Sequence, residues 1–514
     1  MLSEFARLEL QAVLAVYRRQ NDAPSDAAQA SPEISPGENT AAIREIEVAL
    51  AEHHNRAAEY AEQLDPRYVQ LCVACDLSSV ERDILLLALA PAWHSEFESI
   101  YAALADREYR GLTPEIIARV FSGRSGGEAE TKVAEGYARA LYPALGPDAP
   151  LFKFRLLRIL DANEPLFSAR IAADSRVLLF LQGSDDMAAS LTRCLRPAFS
   201  AARLTELPVG AETITELEQI RELLLQSEAA LLNGEAAFTH RPLIQLHGPA
   251  GNGKGRAAVA LANAIERPLL RLDAAEFLNC LEGVSVAAEA AGGAGVSGGT
   301  RAAEDRAALL REITRETLMY GAALLVADWH LLAGHPAGRE LLAREFEYLA
   351  GPLLLAAQIR GDLEPPEGAA YLAVELPLPD AALRRSLWER EAGRSPGPVL
   401  IDDSVSFEFL ATGFRFTEKQ IRGAFRRART RSLTFSQGRI RQADLLAGAY
   451  AESNRGLNEL SVQVRSRPRW NDLVLRPEPL RQLTELCNQA KFSAAVYQSW
   501  GFSPGSGGQG LHAL

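Results

Sequence analysis

A chain of 514 residues is too long for one hydrophobic core, and 47% hydrophobic against 23% charged residues is the balance of a globular multidomain protein. A net charge of -12 and a pI near 5.4 argue against general affinity for nucleic acid or acidic membranes, although a local basic face would be hidden in that total. No apolar run approaches the roughly 20 residues that cross a bilayer, and MLSEFARLELQAVLAVYRRQ carries charges through what would be a signal core, so no membrane contact is expected and the chain is placed in the cytoplasm.

The first stretch, 1 to about 20, reads as an amphipathic helix, and 21–39, rich in Pro, Ser, Asp and Ala, as a linker. A second helix is expected over 40–64, with Ile43, Ile46, Val48, Leu50 and Ala57 on its buried side. His53 and His54 are adjacent on it, face different directions and read as solvated. The spacing then predicts short helices over Tyr68–Cys75, Val80–Ala90, Glu96–Ala105 and Pro114–Phe121. An alternating stretch through Leu151, Phe152, Phe154, Leu156 and Ile159 follows, then a turn at Asp161–Glu164 and Leu166, Phe167 and Ile171, the pattern of a hairpin. Helices followed by a hairpin make a winged helix over 65–200. Arg119 and Arg124 supply only a thin electrostatic footprint, so docking to protein is favoured over DNA. The five cysteines are few and odd in number, as suits a reducing compartment, and Cys72 and Cys75 read as buried helix thiols rather than a metal or redox pair.

A connecting helix over Thr213–Leu232 leads to LIQLHGPAGNGKGRAAVA, Leu243–Ala260, in which an apolar strand stops at a glycine-rich turn and an alanine-rich helix follows. Gly248, Gly253 and Lys254 take the fixed places of the P-loop pattern G-x-x-x-x-G-K-[ST]. Backbone N–H groups of Gly248, Pro249, Ala250, Gly251, Asn252, Gly253, Lys254, Gly255 and Arg256, proline excepted, are the candidate cradle for the phosphates of ATP or ADP, with Lys254 reaching the terminal ones. Gly255 stands where a Ser or Thr hydroxyl would hold Mg2+. Further strands are expected at Leu269–Asp273, Ala322–Asp328, Leu353–Gln358 and Tyr371–Leu376, with helices at Arg301–Tyr320 and Gly338–Leu349, and GVSVAAEAAGGAGVSGGT, 283–300, is expected to be a mobile loop. Alternating strands and helices predict an α/β fold with a doubly wound parallel sheet. Asp328, at the end of its apolar run, is the candidate acid for the metal, and Trp329 follows it where a hydrolysing site would carry Glu. His330 is poorly spaced to act as the base instead.

GPAGNGKG, LLVAD, the polar strand end Gln358, PDAALRRSLWERE and FTEKQIRGAFRRA together resemble the AAA+ ATPases over about 205–455. That resemblance implies that Asp328 is the Walker B acid, Gln358 takes the sensor-1 place, Arg422 takes the sensor-2 place toward the phosphates, and Arg339 and Arg344 are candidates for an arginine finger. It also implies that subunits associate in a ring. The pore loop of that family would fall at 283–300, which has no aromatic residue. LSSVERDILLLALAP, APLFKFRLLRIL and the tail from RWNDLVLRPEPLRQL to VYQSWGF are similar to bacterial AAA ATPases with an N-terminal winged helix and two AAA modules, the first degenerate, found among other settings with contractile injection systems.

The expected organisation is therefore N-terminal helices and linker over 1–64, a winged helix over 65–200, a nucleotide-binding core over 205–378, a helical lid over 379–456 and a connector over 457–514 toward an absent second module. Three functions compete: a nucleotide-binding module that supports remodelling or assembly with little or no hydrolysis, an ATPase with atypical residues, and a winged-helix DNA adaptor.

Overall fold

The computed structural model describes residues 11–13, 16, 43–49, 65–105, 111–122, 141–161, 164–165, 168–233, 240–290, 298–361, 363, 365–394, 400–453 and 470–494. Of the expected N-terminal helices, 43–49 is helical, whereas the 21–39 linker, His53, His54, Arg124 and the tail after 494 lie outside the described residues. The chain divides into two compact units, Met1–Leu207 with Glu212–Gly248 and Lys254–Glu375, and Pro208–Ala211 with Pro249–Gly253 and Leu376–Leu514.

In the first unit, α1 (Pro66–Ala74), α2 (Ser79–Trp93), α3 (Glu96–Leu104) and α4 (Pro114–Ser122) form where the apolar spacing places them. Asp65 caps α1, accepting from Arg67 N at 2.8 Å, and Ser78 and Glu81 close a reciprocal capping box at the start of α2. Ile84, Leu87, Phe97, Tyr101 and Ile117 fill the core between these helices, with the Tyr101 hydroxyl donating to Leu87 O at 2.8 Å. Cys72 and Cys75 are buried on α1, and burial pushes both thiols above their ordinary range.

The hairpin is shorter than its alternating pattern suggests. β1 (Leu157–Ile159) and β2 (Ile171–Ala173) pair antiparallel, with Leu157 opposite Ala173 and Ile159 opposite Ile171. Leu151 and Phe152 are instead in the turn α5 (Pro150–Lys153), because Pro150 at its first position has a backbone angle preset for helix. Helix α6 (Ser175–Leu181) follows, capped by Asp174.

Six strands build the main sheet: β3 (Leu195–Pro197), β4 (Leu243–His247), β5 (Leu269–Asp273), β6 (Ala323–Ala327), β7 (Leu353–Ala357) and β8 (Tyr371–Glu375), in the order β3-β5-β6-β7-β4-β8. The expectation of a parallel sheet needs correction at one edge, where β3 runs antiparallel to β5, with Leu195 opposite Leu272 and Pro197 opposite Leu270. An edge is where a strand ending in proline fits, since proline gives no donor to a ladder. The other five strands are parallel, and β6 and β7 are buried at every position, as strands covered on both faces must be.

Helices α7 (Ala211–Asn233), α8 (Lys254–Ala264), α9 (Ala274–Ala290), α10 (Gly298–Tyr320) and α11 (Pro336–Glu340) complete the crossovers. The expected loop over 283–300 also needs correction: α9 continues to Ala290 and α10 begins at Gly298, leaving 291–297 outside the described residues. Ala287, Ala288 and Ala290 are strong helix formers that a count of small residues mistakes for a linker. The expected helix over Gly338–Leu349 breaks after α11 into a π-turn, Leu341–Glu345, and a 3-10 turn, Phe346–Tyr348.

Helix α10 is also the wall against which the N-terminal helices pack. Arg176 Nε donates to Glu316 Oε1 at 3.1 Å, Arg315 meets Asp174 at 3.3 Å, and Gln70 Nε2 donates to Met319 O at 2.7 Å. Arg176, Arg315 and Glu316 are all buried, and burial pushes the Glu316 carboxyl up against the opposing pull of Arg176.

The second unit contains α12 (Ala381–Gly393), α13 (Phe407–Gly413), α14 (Glu418–Phe435) and α15 (Gln442–Ser453), with β9 (Leu400–Ile401) and β10 (Arg439–Ile440) as a short parallel pair. Leu387, Trp388, Leu410, Ile421, Phe425 and Leu445 form its core. After the 3-10 turn Trp470–Asp472, α16 (Pro477–Ala494) is the last described element.

Candidate functional site

Strand β4 has the burial pattern of a central strand until His247, and the chain then turns at Gly248. Gly248, Gly251 and Gly253 adopt φ of +138°, +84° and +86°. Side chains rarely adopt these angles, so glycine makes the turn between β4 and α8 at those places without the strain any other residue would bring. Gly248 N donates to Gln358 O at 3.2 Å, joining the loop to the residue that follows β7. Asn252, 3% exposed, donates through Nδ2 to Leu376 O at 2.6 Å and also to Pro377 O.

Lys254 opens α8, so its side chain starts at the end of the helix where the first-turn N–H groups carry the positive end of the dipole. Its Nζ donates to Gly248 O at 2.6 Å, folding the side chain back along the loop. Burial pushes the Lys254 ammonium below its ordinary range, and the charge of Asp328 opposes that shift. Gly255 is the second residue of α8, and a Cβ placed there would meet nothing within 4 Å. Arg256 points elsewhere: its guanidinium donates to Glu206 O at 3.4 Å.

Asp328 follows β6 with φ +55°, is exposed, and starts the 3-10 turn Trp329–Leu331. The left-handed angle at Asp328 turns the next side chain inward. Trp329 is 3% exposed, belongs to the same buried core as Leu332, Ala337 and Leu341, and its ring tip would lie 3.2 Å from a Cβ on Gly338. His330 is exposed. The strand order puts β7 between β4 and β6, so Gly248, Gln358 and Asp328 stand at the carboxyl ends of three neighbouring parallel strands. In open parallel sheets that edge is where ligands bind.

In the second unit, Thr417 caps α14, accepting from Gln420 N at 3.4 Å, and the start of that helix lies on the loop residues 249–253. Lys419 N donates to Gly251 O at 3.3 Å. Arg422 donates to Glu418 Oε1 at 2.9 Å and stands 3.7 Å from Glu391, while Arg390 donates to the same Glu418 oxygen at 2.7 Å. Arg339 and Arg344 are exposed, on α11 and in the π-turn. Glu418 and Arg390 escaped the sequence reading. The Thr417-to-Gln420 capping pattern marks where α14 starts, but nothing local tells that this start meets the glycine loop.

Among the described residues no group of three or more His, Cys, Asp or Glu side chains is placed to hold a metal, and no helix is long and apolar enough to cross a membrane. On α4, Ile116, Ile117, Val120 and Phe121 are buried. Arg119 on the same helix is engaged by Glu115 at 2.8 Å and by Leu104 O, so it is committed within the fold. No curated protein matches the chain. Residues 1–195 match the family model of a winged helix domain, variant, a match that ends where β3 begins, and the N-terminal region with its helices and β1–β2 hairpin is therefore a winged-helix domain.

Proposed function

We propose that the chain binds ATP or ADP through Gly248–Gly253 and Lys254, with little or no hydrolysis, and that its winged-helix domain docks a protein partner. The observation that carries this reading is the loop itself. Three glycines at positive φ turn a buried parallel strand into a helix whose first residue is Lys254, the arrangement that backbone recognition of phosphate requires. The AAA+ likeness of the sequence motifs supports the same reading, and it makes self-association into a ring part of the proposal.

The donor set for Mg2+ is incomplete, with Asp328 exposed at its strand end and no hydroxyl at Gly255. A bound Mg2+ would screen phosphate charge; the chain's own contribution is the orientation of the phosphates by loop and ammonium. Water activation lacks a carboxylate at position 329, where the tryptophan is buried. Loss of metal placement and of water positioning each removes several kcal/mol of transition-state stabilisation. For the winged helix, the engagement of Arg119 favours a protein partner over DNA.

Calorimetry with ATP and ADP, with and without Mg2+, beside a steady-state phosphate-release assay, tests this on the wild type and Lys254→Ala. Micromolar binding lost by at least tenfold in the variant, without turnover above it, is expected. Turnover that depends on Lys254 would replace the reading with an active ATPase, and absence of binding would leave the sheet as a scaffold.

A further inference from the structure

Two cysteines that the nucleotide reading does not use, Cys194 and Cys280, meet at the edge of the main sheet, inside the first compact unit. Cys194 immediately precedes β3, is 1% exposed, and its carbonyl accepts from Asp273 N at 2.8 Å. Asp273 ends β5 and accepts from Glu276 N at 3.2 Å, holding the start of α9, and Cys280 lies about two turns into that helix. There Cys280 packs against the buried cluster that holds Cys194, Leu191 and Phe277. The two thiols are hydrogen-bond neighbours, and Cys194 Sγ also donates to Leu191 O at 3.6 Å. Both are free thiols, but they differ in access: Cys194 is sealed in the core, whereas Cys280 is half-buried. Burial first, and the neighbouring Cys280 after it, push the Cys194 thiol up to about 12, so it stays protonated in the resting protein.

We infer that Cys280 and Cys194 form a peroxide-responsive modification site, in which Cys280 takes the oxidant, Cys194 resolves it, and the resulting disulfide staples β3 to α9. The division of labour follows from access, since an attacking sulfur must be reached by the oxidant and a resolving one need only be adjacent. In the first step the Cys280 sulfur attacks one oxygen of hydrogen peroxide, the O–O bond breaks, and the departing hydroxide leaves as water with the thiol proton. Cys280 is then a sulfenic acid. In the second step the Cys194 sulfur attacks the Cys280 sulfur, the S–O bond breaks, and the hydroxyl leaves as a second water with the Cys194 proton. Two thiols are oxidised to one disulfide and one peroxide is reduced to two waters. In a reducing compartment such a bond is transient, because small thiols reverse it. While it lasts it ties a three-residue edge strand covalently to the helix behind its partner, which opposes the opening of that edge.

The test is exposure of the full chain to hydrogen peroxide, in a Cys487→Ser background that removes an exposed thiol, followed by unreduced peptide mapping by mass spectrometry. A Cys194–Cys280 linked peptide that disappears with dithiothreitol is expected, formed before the buried Cys72 and Cys75 react. Cys280→Ser should leave Cys194 unmodified, and Cys194→Ala should let Cys280 run on to the sulfinic acid for want of a resolving thiol. Hydrogen exchange at the Asp273 amide is expected to slow by about tenfold or more in the oxidised protein relative to the reduced one, and not in Cys280→Ser. If Cys194→Ala does not fold, Cys280→Ser, on the half-buried side, decides. Absence of the linked peptide, or its formation no faster than reaction of Cys72 and Cys75, overturns the site. Linkage with unchanged exchange at Asp273 overturns the staple.

Discussion

A side chain at Gly255 would enter open space, so a hydroxyl there is sterically free. Gly255→Ser is expected to fold at least as well as the wild type, since serine is the better helix former by a few tenths of a kcal/mol, about the difference between the two propensities. On the proposed reading of the loop, it is also expected to make ATP binding more Mg2+-dependent in calorimetry. Trp329 is the opposite case. Trp329→Glu removes a buried ring from the core that also holds Leu332 and Leu341 and puts a carboxylate there, at a cost of about 3–5 kcal/mol read by denaturant unfolding. It is expected to lose stability without gaining hydrolysis. One departure from the hydrolysing pattern is therefore reversible by a single change, and the other has been absorbed into the fold. Gly338 shows how firmly, because any Cβ there would fall 2.1 Å from Leu332 O, holding the chain after Trp329 in one path.

At the scale of elements, α10 performs two tasks at once, carrying the chain toward β6 and presenting Glu316 to Arg176. Truncating one partner of a buried charged pair leaves the other without compensation, typically at about 3–5 kcal/mol. Glu316→Ala is expected to destabilise by that order in urea unfolding, and Arg176→Met with Glu316→Leu together by much less, because no charge is then stranded. What the sequence makes legible at this scale follows from the range over which each signal acts. The β4–loop–α8 unit is readable because its glycines and Lys254 are fixed by local backbone geometry, and β6 because a strand covered on both faces is apolar throughout. Leu195–Pro197 joining the sheet has no such mark. A three-residue edge strand has no periodicity, and its partner β5 lies far along the chain. Glu418 was unreadable for the same reason: charge and capping are local properties, whereas proximity to Gly253 belongs to the fold.

Across the whole molecule, the winged-helix region and the sheet share ion pairs, hydrogen bonds and a strand, and the natural cut suggested by the sequence at about 200–205 passes just after that strand. Fragments 1–200 and 201–514, expressed separately, are expected to be less stable than the full chain, and to regain protection of the β5 amides in hydrogen exchange when mixed. Full-chain stability recovered by 201–514 alone would show that β3 is dispensable.

The antiparallel seat of β3 carries a consequence for how the protein behaves while it is being made. Strand β3 emerges before its partner β5, and until β5 arrives it has no ladder to join. Conversely, any cleavage that strips β3 away uncovers a row of N–H and C=O groups along β5, a template on which a strand from another molecule can add. The same three residues thus act as a cover for the sheet, and losing them turns a folded edge into a seed for aggregation.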